Sequence, residues 1–217
     1  MAIKFCIWDV GQVIYPYSLR PLDEWVGKNT ADAALWQAKG GVKSFDYNPY
    51  MSGEMNHEEF SRRLCESFGI EFSDRRPPEI NKALHAGVGK PFAATIDTME
   101  MLAVRGVENG ILSNALPVLA DTKPEIVKDE YAFTSFELGL LKPDPRIFAA
   151  VREKLGCRFG EMIFVDDKPR NVQAASDLGI YGIVYDPKTI KSNCMRALSG
   201  QKQYPAPYLG EKKGNTL

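Results

Sequence analysis

Three aspartates follow short apolar runs of the kind that form buried parallel strands. Asp9 ends the run Ile3–Trp8, and Asp166 and Asp167 follow the run Met162–Val165. Ligands of an open parallel sheet bind outside the carboxyl ends of its strands, so we expect these side chains at one edge. Converging carboxylates raise one another's pKa unless a cation neutralises them, and Mg²⁺ prefers a few carboxylates with waters and phosphate oxygens. The spacing therefore predicts a magnesium site that includes Asp9 and Asp166.

Further polar residues lie where they could bind a phosphoryl group. Ser113 and Asn114 follow another apolar run, and Lys142 lies in a loop before a predicted helix. The Ser113 hydroxyl and loop N–H groups would donate hydrogen bonds to phosphoryl oxygens, and Lys142 would add a positive charge. We expect Asn114 to contribute to substrate binding, and Asp167 and Asn171 to support the site.

Short apolar runs alternate with stretches of helical spacing along most of the chain. Besides the two runs named above, the predicted strands are Gly110–Leu112, Ala132–Phe133 and Ile180–Tyr185. The predicted helices between strands are Ala93–Arg105, Pro145–Leu155 and Asn171–Leu178, the last closed by Gly179. This alternation predicts an α/β fold with a parallel sheet.

Residues 17–86 interrupt the alternation. No strand is predicted there, while 32–39 and 57–68 have helical patterns with Pro-containing and Gly-containing loops between them. Asn56, with Glu59 three residues later, is typical of a helix N-cap. The predicted organisation is a core of residues 1–16 and 87–198, an inserted helical module of residues 17–86, and a polar tail of residues 199–217 that runs over the surface or is disordered.

Composition limits the classes of partner. The chain has 27 Lys and Arg against 28 Asp and Glu, a formal net charge of −1, so no broad field would attract nucleic acid or an anionic membrane. The N-terminal sequence MAIKFCIWDV fits neither a secretory signal nor a membrane span, which favours a cytoplasmic location. Cys6, Cys65, Cys157 and Cys194 form no C-x-x-C pair and are interpreted as reduced. We expect a small-molecule partner; the oligomeric state is left open.

The histidines and several aromatic residues lie in or beside the inserted module. His57 and His85 are the only histidines, and we interpret both as solvated or capping residues rather than catalysts. Five residues are candidates for the mouth of a pocket or for an aromatic core: Tyr15, Tyr17, Arg20, Trp25 and Trp36.

Four motifs, taken together, resemble those of the haloacid dehalogenase-like (HAD) hydrolase superfamily. They occur in the family's order and at suitable spacing over nearly the whole chain. The motifs are FCIWDVG at residues 5–11, ILSN at 111–114, KPDP at 142–145 and FVDDKPRN at 164–171. Each motif alone is weak, whereas four in order are specific.

The resemblance implies a Rossmann-like core with a small helical cap inserted after the first strand. It also implies hydrolysis of a phosphate ester through a phospho-aspartyl intermediate on Asp9. By the same resemblance, Asp9, Asp166 and the Gly11 carbonyl would hold Mg²⁺, while Ser113 and Lys142 would bind the phosphoryl group during catalysis.

Residue 11 departs from the most familiar phosphatase pattern. That pattern, D-x-D, has a second Asp that protonates the leaving group and later activates water, whereas this chain has Gly11. General acid–base catalysis typically contributes about 10²–10⁴-fold, so its loss should slow turnover without abolishing it. The D-x-G form resembles a branch that includes bacterial sugar-1-phosphate phosphatases, which implies a small phosphorylated metabolite such as a sugar phosphate. Gln12 stands where Gly or Asn is more usual.

Two alternatives remain open. The 2-haloacid dehalogenases also lack the second Asp, but they usually have Tyr at the position of Gly11, followed by Gly-Thr, which is absent here. The second alternative is a catalytically weak HAD-like protein whose cap and tail bind a partner, and Gly11 is its main support.

Overall fold

The computed structural model describes residues 2–201, so residues 202–217 of the predicted tail lie outside the described part of the chain. Its centre is a five-stranded parallel sheet with the strand order β3-β2-β1-β4-β5. The strands are β1 Phe5–Trp8, β2 Glu108–Ser113, β3 Ala132–Thr134, β4 Met162–Asp166 and β5 Tyr181–Val184. All five lie where the apolar runs predict them, and the α/β Rossmann-like fold is confirmed.

Besides four short 3₁₀ helices, the described residues form ten α-helices. They are α1 Arg20–Asn29, α2 Ala33–Ala38, α3 Asn48–Met51, α4 His57–Ser67, α5 Arg76–His85, α6 Ala93–Val104, α7 Ser135–Leu138, α8 Pro145–Leu155, α9 Pro169–Asp177 and α10 Ile190–Leu198. None of the helices within residues 2–201 has the length and apolar character needed to cross a membrane.

Prolines lie at the start of two helices that were not predicted. Pro21, Pro77 and Pro78 lie in the first turns of α1 and α5, segments for which the sequence analysis predicts no helix. Proline is tolerated in a first turn because its missing N–H would have no partner within the helix there. Pro169 likewise begins α9 two residues before the predicted start at Asn171. The predicted N-cap is confirmed, since Asn56 Oδ1 accepts a hydrogen bond from the Glu59 N–H at 2.9 Å.

Both faces of the sheet are buried, as its continuous apolar strands require. Trp8 of β1 belongs to the apolar cluster formed with Met99 of α6 and Cys194 of α10. Ile7, the neighbouring residue, belongs to the cluster on the opposite face with Phe148 of α8. The α/β core therefore has three layers, and all four cysteines are free and buried.

Helices α1 to α5 have a separate apolar cluster. Its fully buried members include Leu22, Phe60, Leu64 and Ile80, and Leu116, from the loop after β2, joins them. The boundaries proposed for this cap, residues 17–86, stay a prediction.

The two connections to the helical segment run side by side. Tyr17 and Val88 form an antiparallel bridge, and the Ser18 N–H donates to the Gly87 carbonyl at 3.0 Å. The segment also contacts the carboxyl edge of the sheet, where Ser135 Oγ donates to the Met51 carbonyl at 2.6 Å. These contacts hold the helices over the strand ends.

Candidate active site

Parallel register brings three strand ends to the same level. Trp8 of β1 lies opposite Ile111 of β2 and Val165 of β4, so Asp9, Ser113 and Asp166 follow at the carboxyl edge. The Asp9 N–H donates to the Val165 carbonyl at 2.8 Å, which extends the sheet pairing to this residue.

Lys142 joins two of the predicted acids. Its Nζ lies 2.8 Å from Asp9 Oδ1 and 2.8 Å from Asp166 Oδ2, and it donates to the Leu112 carbonyl at 2.7 Å. The three partners use the three ammonium hydrogens, and the side chain is only 1% exposed. Burial alone would lower the pKa of the Lys142 ammonium, but the charges of Asp9 and Asp166 outweigh it, and the pKa is raised. Lys142 therefore stays protonated.

Burial and mutual repulsion act on the carboxylates. Burial raises the pKa of Asp9, and the charge of Asp166 raises it further, while Lys142 opposes both. Burial also raises the pKa of Asp167, with the charge of Asp9 as the next cause. Lys142 lies between Asp9 and Asp166, and the charge of Lys168 lowers the pKa of Asp167. Two ammonium groups thus face three acids, which leaves one negative charge uncompensated when all three are ionised.

The three aspartates form a cluster that fits a hard divalent cation. Asp9, Asp166 and Asp167 each offer a carboxylate oxygen, and these oxygens all lie within 4.8 Å of one another. Asp167 Oδ1 and Asn171 Oδ1 are buried without a hydrogen-bond partner among the described residues. Buried acceptors are usually paired, so these two oxygens are suited to ligation of a cation or of its waters.

Asp166 is held in one orientation by the start of α9. Asn171 Nδ2 donates to both of its carboxylate oxygens, at 3.0 and 2.9 Å, and the Lys168 N–H donates to Oδ1 at 2.8 Å. These bonds explain why an Asn belongs five residues after Asp166.

Asn114 contacts the backbone of Lys142. Its Nδ2 donates to the Lys142 carbonyl at 3.0 Å, and its Oδ1 accepts from the Lys142 N–H at 2.9 Å. The predicted contact between Asn114 and substrate stays a prediction, and the geometry adds a second task, the positioning of Lys142. The motif spacing contains no signal for this pair of bonds, because it joins residues 28 positions apart.

Gly11 begins a tight turn beside Asp9. Gly11 pairs with Tyr15, and Gln12 adopts a left-handed φ of 64° while its N–H donates to the Tyr15 carbonyl at 2.7 Å. A Cβ added to Gly11 would meet no atom within 4 Å. Crowding therefore does not require glycine at this position.

A cavity of about 300 Å³ opens above these residues. Each predicted site residue except Asp166 lines it: Asp9, Gly11, Ser113, Asn114, Lys142, Asp167 and Asn171. Asp166 is fully buried beneath them.

Two of the five candidates for the pocket mouth line this cavity. Tyr15 and Tyr17 do so, whereas Arg20, Trp25 and Trp36 are not among the lining residues. Sequence reasoning missed Tyr47, Met51, Leu116 and Leu119, which also line it. They come from the helical segment and from the loop after β2, and no local pattern marks them.

Both histidines lie outside the cavity lining. The ring nitrogens of His57 lie 2.9 Å from the Tyr50 hydroxyl and 2.9 Å from the Pro77 carbonyl, and His85 Nδ1 lies 2.9 Å from the Asn81 carbonyl. Both histidines therefore contact other groups of the protein and not the cavity.

Comparison with known proteins gives one family and several distant relatives. Residues 10–179 match the haloacid dehalogenase-like hydrolase family. The mouse acyl-CoA dehydrogenase family member 10 is 25% identical over 207 residues, which cover 89% of this chain and 19% of that protein. The (S)-2-haloacid dehalogenase of Pseudomonas putida is 24% identical over 165 residues, 70% of each chain. This chain thus spans only about a fifth of the mouse relative.

Among solved structures, a HAD family enzyme of Bacteroides thetaiotaomicron has the same fold. Its magnesium complex superimposes with a TM-score of 0.72 at 23% identity, covering 90% of this chain and 100% of that chain. Another structure of that enzyme, with magnesium and inorganic phosphate, has a TM-score of 0.66 at 22% identity and covers 86% and 96%.

Proposed function

The chain belongs to the haloacid dehalogenase-like hydrolase family, and we propose that it is a magnesium-dependent phosphatase. In this proposal it hydrolyses a small phosphorylated metabolite through an aspartyl-phosphate on Asp9. One observation carries the proposal: Lys142 Nζ lies 2.8 Å from both Asp9 and Asp166 at the base of a cavity. The magnesium and phosphate held by the Bacteroides enzyme of the same fold add support.

In the first step, a carboxylate oxygen of Asp9 attacks phosphorus and the bond from phosphorus to the ester oxygen breaks. Lys142 offsets part of the negative charge that gathers between Asp9 and the phosphoryl oxygens, and the Ser113 hydroxyl donates a hydrogen bond to one of them. A bound magnesium ion would supply further charge neutralisation, held by Asp9, Asp166 and the Gly11 carbonyl, with Asp167 beside it.

In the second step, water attacks the phosphorus of the aspartyl-phosphate. Inorganic phosphate is released and the Asp9 carboxylate is restored. Gly11 offers no side chain to protonate the leaving oxygen, so that proton comes from solvent. Turnover is therefore expected to depend on how easily the alcohol leaves.

The test is phosphate release from a panel of phosphorylated metabolites with and without magnesium. Wild-type protein should release phosphate only with the metal, and Asp9→Asn should reduce the rate to background while circular dichroism shows a retained fold. Asp97→Asn is the matched control, because Asp97 is an exposed aspartate of α6 outside the cavity lining. No turnover on any ester would instead favour the catalytically weak binding protein.

A second candidate function is 2-haloacid dehalogenation. The observation in its favour is the Pseudomonas putida relative, a named (S)-2-haloacid dehalogenase. Displacement of halide by Asp9 would need no magnesium, so halide release from a 2-haloacid in the presence of a chelator identifies this activity.

A further inference from the structure

The ammonium of Lys142 has no hydrogen left for a substrate. Its Nζ lies 2.8 Å from Asp9 Oδ1 and 2.8 Å from Asp166 Oδ2, and it donates to the Leu112 carbonyl at 2.7 Å. These three partners account for all three ammonium N–H bonds. Lys142 therefore acts on a phosphoryl group through its charge, because a direct hydrogen bond to a phosphoryl oxygen would break one of the existing contacts.

The other residues expected to bind the phosphoryl group bring no positive charge. Asn114 Nδ2 donates to the Lys142 carbonyl, and Asn114 Oδ1 accepts from the Lys142 N–H, so most of this amide is already used. The Ser113 hydroxyl is a neutral donor. A dianionic phosphoryl group would thus meet no cationic hydrogen-bond donor among these three residues.

A second cation lines the cavity. Lys142 and Lys168 are the only basic residues among the described residues of the lining. The Lys168 N–H donates to Asp166 Oδ1 at 2.8 Å, which fixes the backbone from which this side chain starts. No hydrogen bond or close ion pair joins the Lys168 ammonium to any of residues 2–201, and the residue is exposed. Its ammonium is therefore available to a ligand.

This ammonium lies near the acids that a phosphoryl group would approach. Burial and the charge of Asp9 raise the pKa of Asp167, whereas the charge of Lys168 lowers it. Carboxylate oxygens of Asp9 and Asp167 lie within 4.8 Å of one another. Attack by Asp9 requires phosphorus within about 3–3.5 Å of its carboxylate oxygen. The outer phosphoryl oxygens would then lie within reach of the flexible four-carbon side chain of Lys168.

The charge balance of the site also favours a second cation. Asp9, Asp166 and Asp167 carry three negative charges when ionised, which Lys142 and one divalent cation would offset. A phosphate monoester adds a charge of about −1.5 to −2 at neutral pH. Without Lys168, no cation of the described cavity lining would be left to compensate that charge.

We propose, as an extension that rests on the phosphatase function above, that Lys168 is a further phosphate-binding residue. Its ammonium donates a charge-assisted hydrogen bond to a phosphoryl oxygen of the substrate. Lys142 meanwhile keeps its contacts with Asp9 and Asp166. Because Lys168 contacts the phosphoryl group and not the leaving alcohol, it contributes equally to the binding of every ester.

Binding of inorganic phosphate tests this contact without any leaving group. Isothermal titration calorimetry at saturating magnesium compares wild type with Lys168→Gln and Lys168→Arg. In Lys168→Gln the Kd for phosphate should rise about tenfold, near the lower end for one hydrogen bond to a charged group. Lys168→Arg keeps the charge and should recover most of the loss. Lys191→Gln is the matched control and should have the wild-type Kd, because Lys191 is an exposed residue of α10 outside the lining.

Kinetics separate a phosphoryl contact from a contact with the leaving group. Phenyl phosphate and 4-carboxyphenyl phosphate differ only in an anionic group on the leaving alcohol. We expect kcat/KM in Lys168→Gln to fall about tenfold for both esters alike. A fall confined to the carboxyphenyl ester, with an unchanged Kd for phosphate, would overturn the inference, because Lys168 would then bind an acidic group of the alcohol.

Magnesium affinity distinguishes this role from a structural one. Lys168→Gln removes a positive charge beside the acids, so it should bind magnesium at least as tightly as wild type in a calorimetric titration. Weaker magnesium binding would place the defect in the cation site and overturn the inference. Wild-type phosphate Kd and kcat/KM in Lys168→Gln would also overturn it and leave the phosphatase function standing. Absence of Asp9-dependent phosphate release from every ester would remove both.

Discussion

At the scale of single residues, the site combines a network of charges around Lys142 with a glycine at residue 11. Lys142 contacts Asp9 and Asp166 directly, and Asn114 holds the Lys142 backbone. The Lys142 ammonium therefore cannot move without breaking several hydrogen bonds and ion pairs. Gly11 leaves open the space where the resemblance to D-x-D phosphatases implies an acid. The proposed nucleophile, Asp9, thus has a fixed cation beside it, whereas residue 11 has no side chain that could transfer a proton to a leaving group.

The first prediction concerns Gly11→Asp. The new side chain has room, and residue 11 is not in the left-handed region, so the backbone need not change. Three nearby carboxylates would favour its protonated form, which is the form that donates a proton. We expect kcat for alkyl phosphates to rise by about 10²-fold or more, since general acid catalysis contributes roughly 10²–10⁴-fold. Esters with good leaving groups, such as p-nitrophenyl phosphate, should gain little.

Gly11→Asn is the matched control for this variant, because it has a similar size and no titratable proton. Steady-state kinetics on alkyl and aryl phosphates measure the contrast. Equal effects of Gly11→Asp and Gly11→Asn on the alkyl esters would place residue 11 away from the leaving group.

At the scale of elements, contacts at both ends of the sheet determine how strands β1 and β4 are placed. At the amino end, Glu161 accepts bonds from Lys4 Nζ at 3.0 Å, Arg158 Nη2 at 3.0 Å and the Arg158 N–H at 2.8 Å. Lys4 precedes β1 and Glu161 precedes β4, so this cluster links the two strands that lead to Asp9 and Asp166. At the carboxyl end, the paired connections at residues 16–18 and 87–89 hold the helical segment.

The second prediction is a pH dependence at Glu161. Hydrogen bonds from Arg158, with a further one from Lys4, lower the pKa of Glu161 to about 2, below the roughly 4.3 of an unfolded chain. A carboxylate whose pKa is lower in the folded state stabilises the fold at pH values above its unfolded-state pKa. This contribution is lost as the pH falls towards about 2. Glu161→Gln should therefore lower the free energy of unfolding at pH 7, and its difference from wild type should shrink between about pH 5 and pH 2.

Urea unfolding at several pH values measures this difference. Glu153→Gln, at an exposed position of α8, should show no such trend. A deficit in Glu161→Gln that is the same at pH 7 and pH 3 would contradict the assignment.

The third prediction is that Gly87→Ala destabilises the protein. A Cβ at residue 87 would lie 2.1 Å from the Ser18 carbonyl oxygen, a backbone atom that can move only with the paired connection. Overpacking of this kind typically costs about 1–3 kcal/mol. Chemical denaturation measures the loss, with the exposed neighbour Ala86→Ser as control. Wild-type stability in Gly87→Ala would mean that the two connections are looser than their hydrogen bonds indicate.

At the scale of the whole molecule, folding brings together acids that repel one another. Asp9, Asp166 and Asp167 lie at the ends of two separate strands, where Lys142 contacts two of them and Lys168 offsets part of the charge of Asp167. Their repulsion is a cost to the folded state that a bound divalent cation would remove. Folding stability and metal binding should therefore be linked.

The fourth prediction is a thermal shift with magnesium. At about 100 times its Kd, a ligand of the native state adds about 2.7 kcal/mol, or roughly 5–10 °C in Tm at about 2–4 °C per kcal/mol. Asp167→Asn removes one charge from the cluster, so it should raise Tm without the metal and reduce the magnesium shift. Differential scanning calorimetry measures both values, with the surface variant Asp97→Asn as control. A full shift in Asp167→Asn would exclude Asp167 from the cation site.

Local pattern was sufficient for the strands and for the edge residues of the site. Five apolar runs ended in parallel strands, and the polar residues after them met at one edge, because residues that follow neighbouring parallel strands must share that edge. Helices α1 and α5 were missed because their prolines lie in first turns, where the same residue type that usually marks a loop is compatible with a helix.

By itself, the sequence determined the α/β fold and the polar residues at the carboxyl edge of the sheet, since strand ends and motif spacing are local properties. Only the tertiary structure decided how those residues interact: that Lys142 bridges Asp9 and Asp166, and that Asn114 holds the Lys142 backbone. It also decided the rest of the cavity lining, to which Tyr17, Tyr47 and residues of the loop after β2 contribute. That lining is formed by segments far apart in the chain, and no periodicity or spacing encodes which side chains such segments bring together.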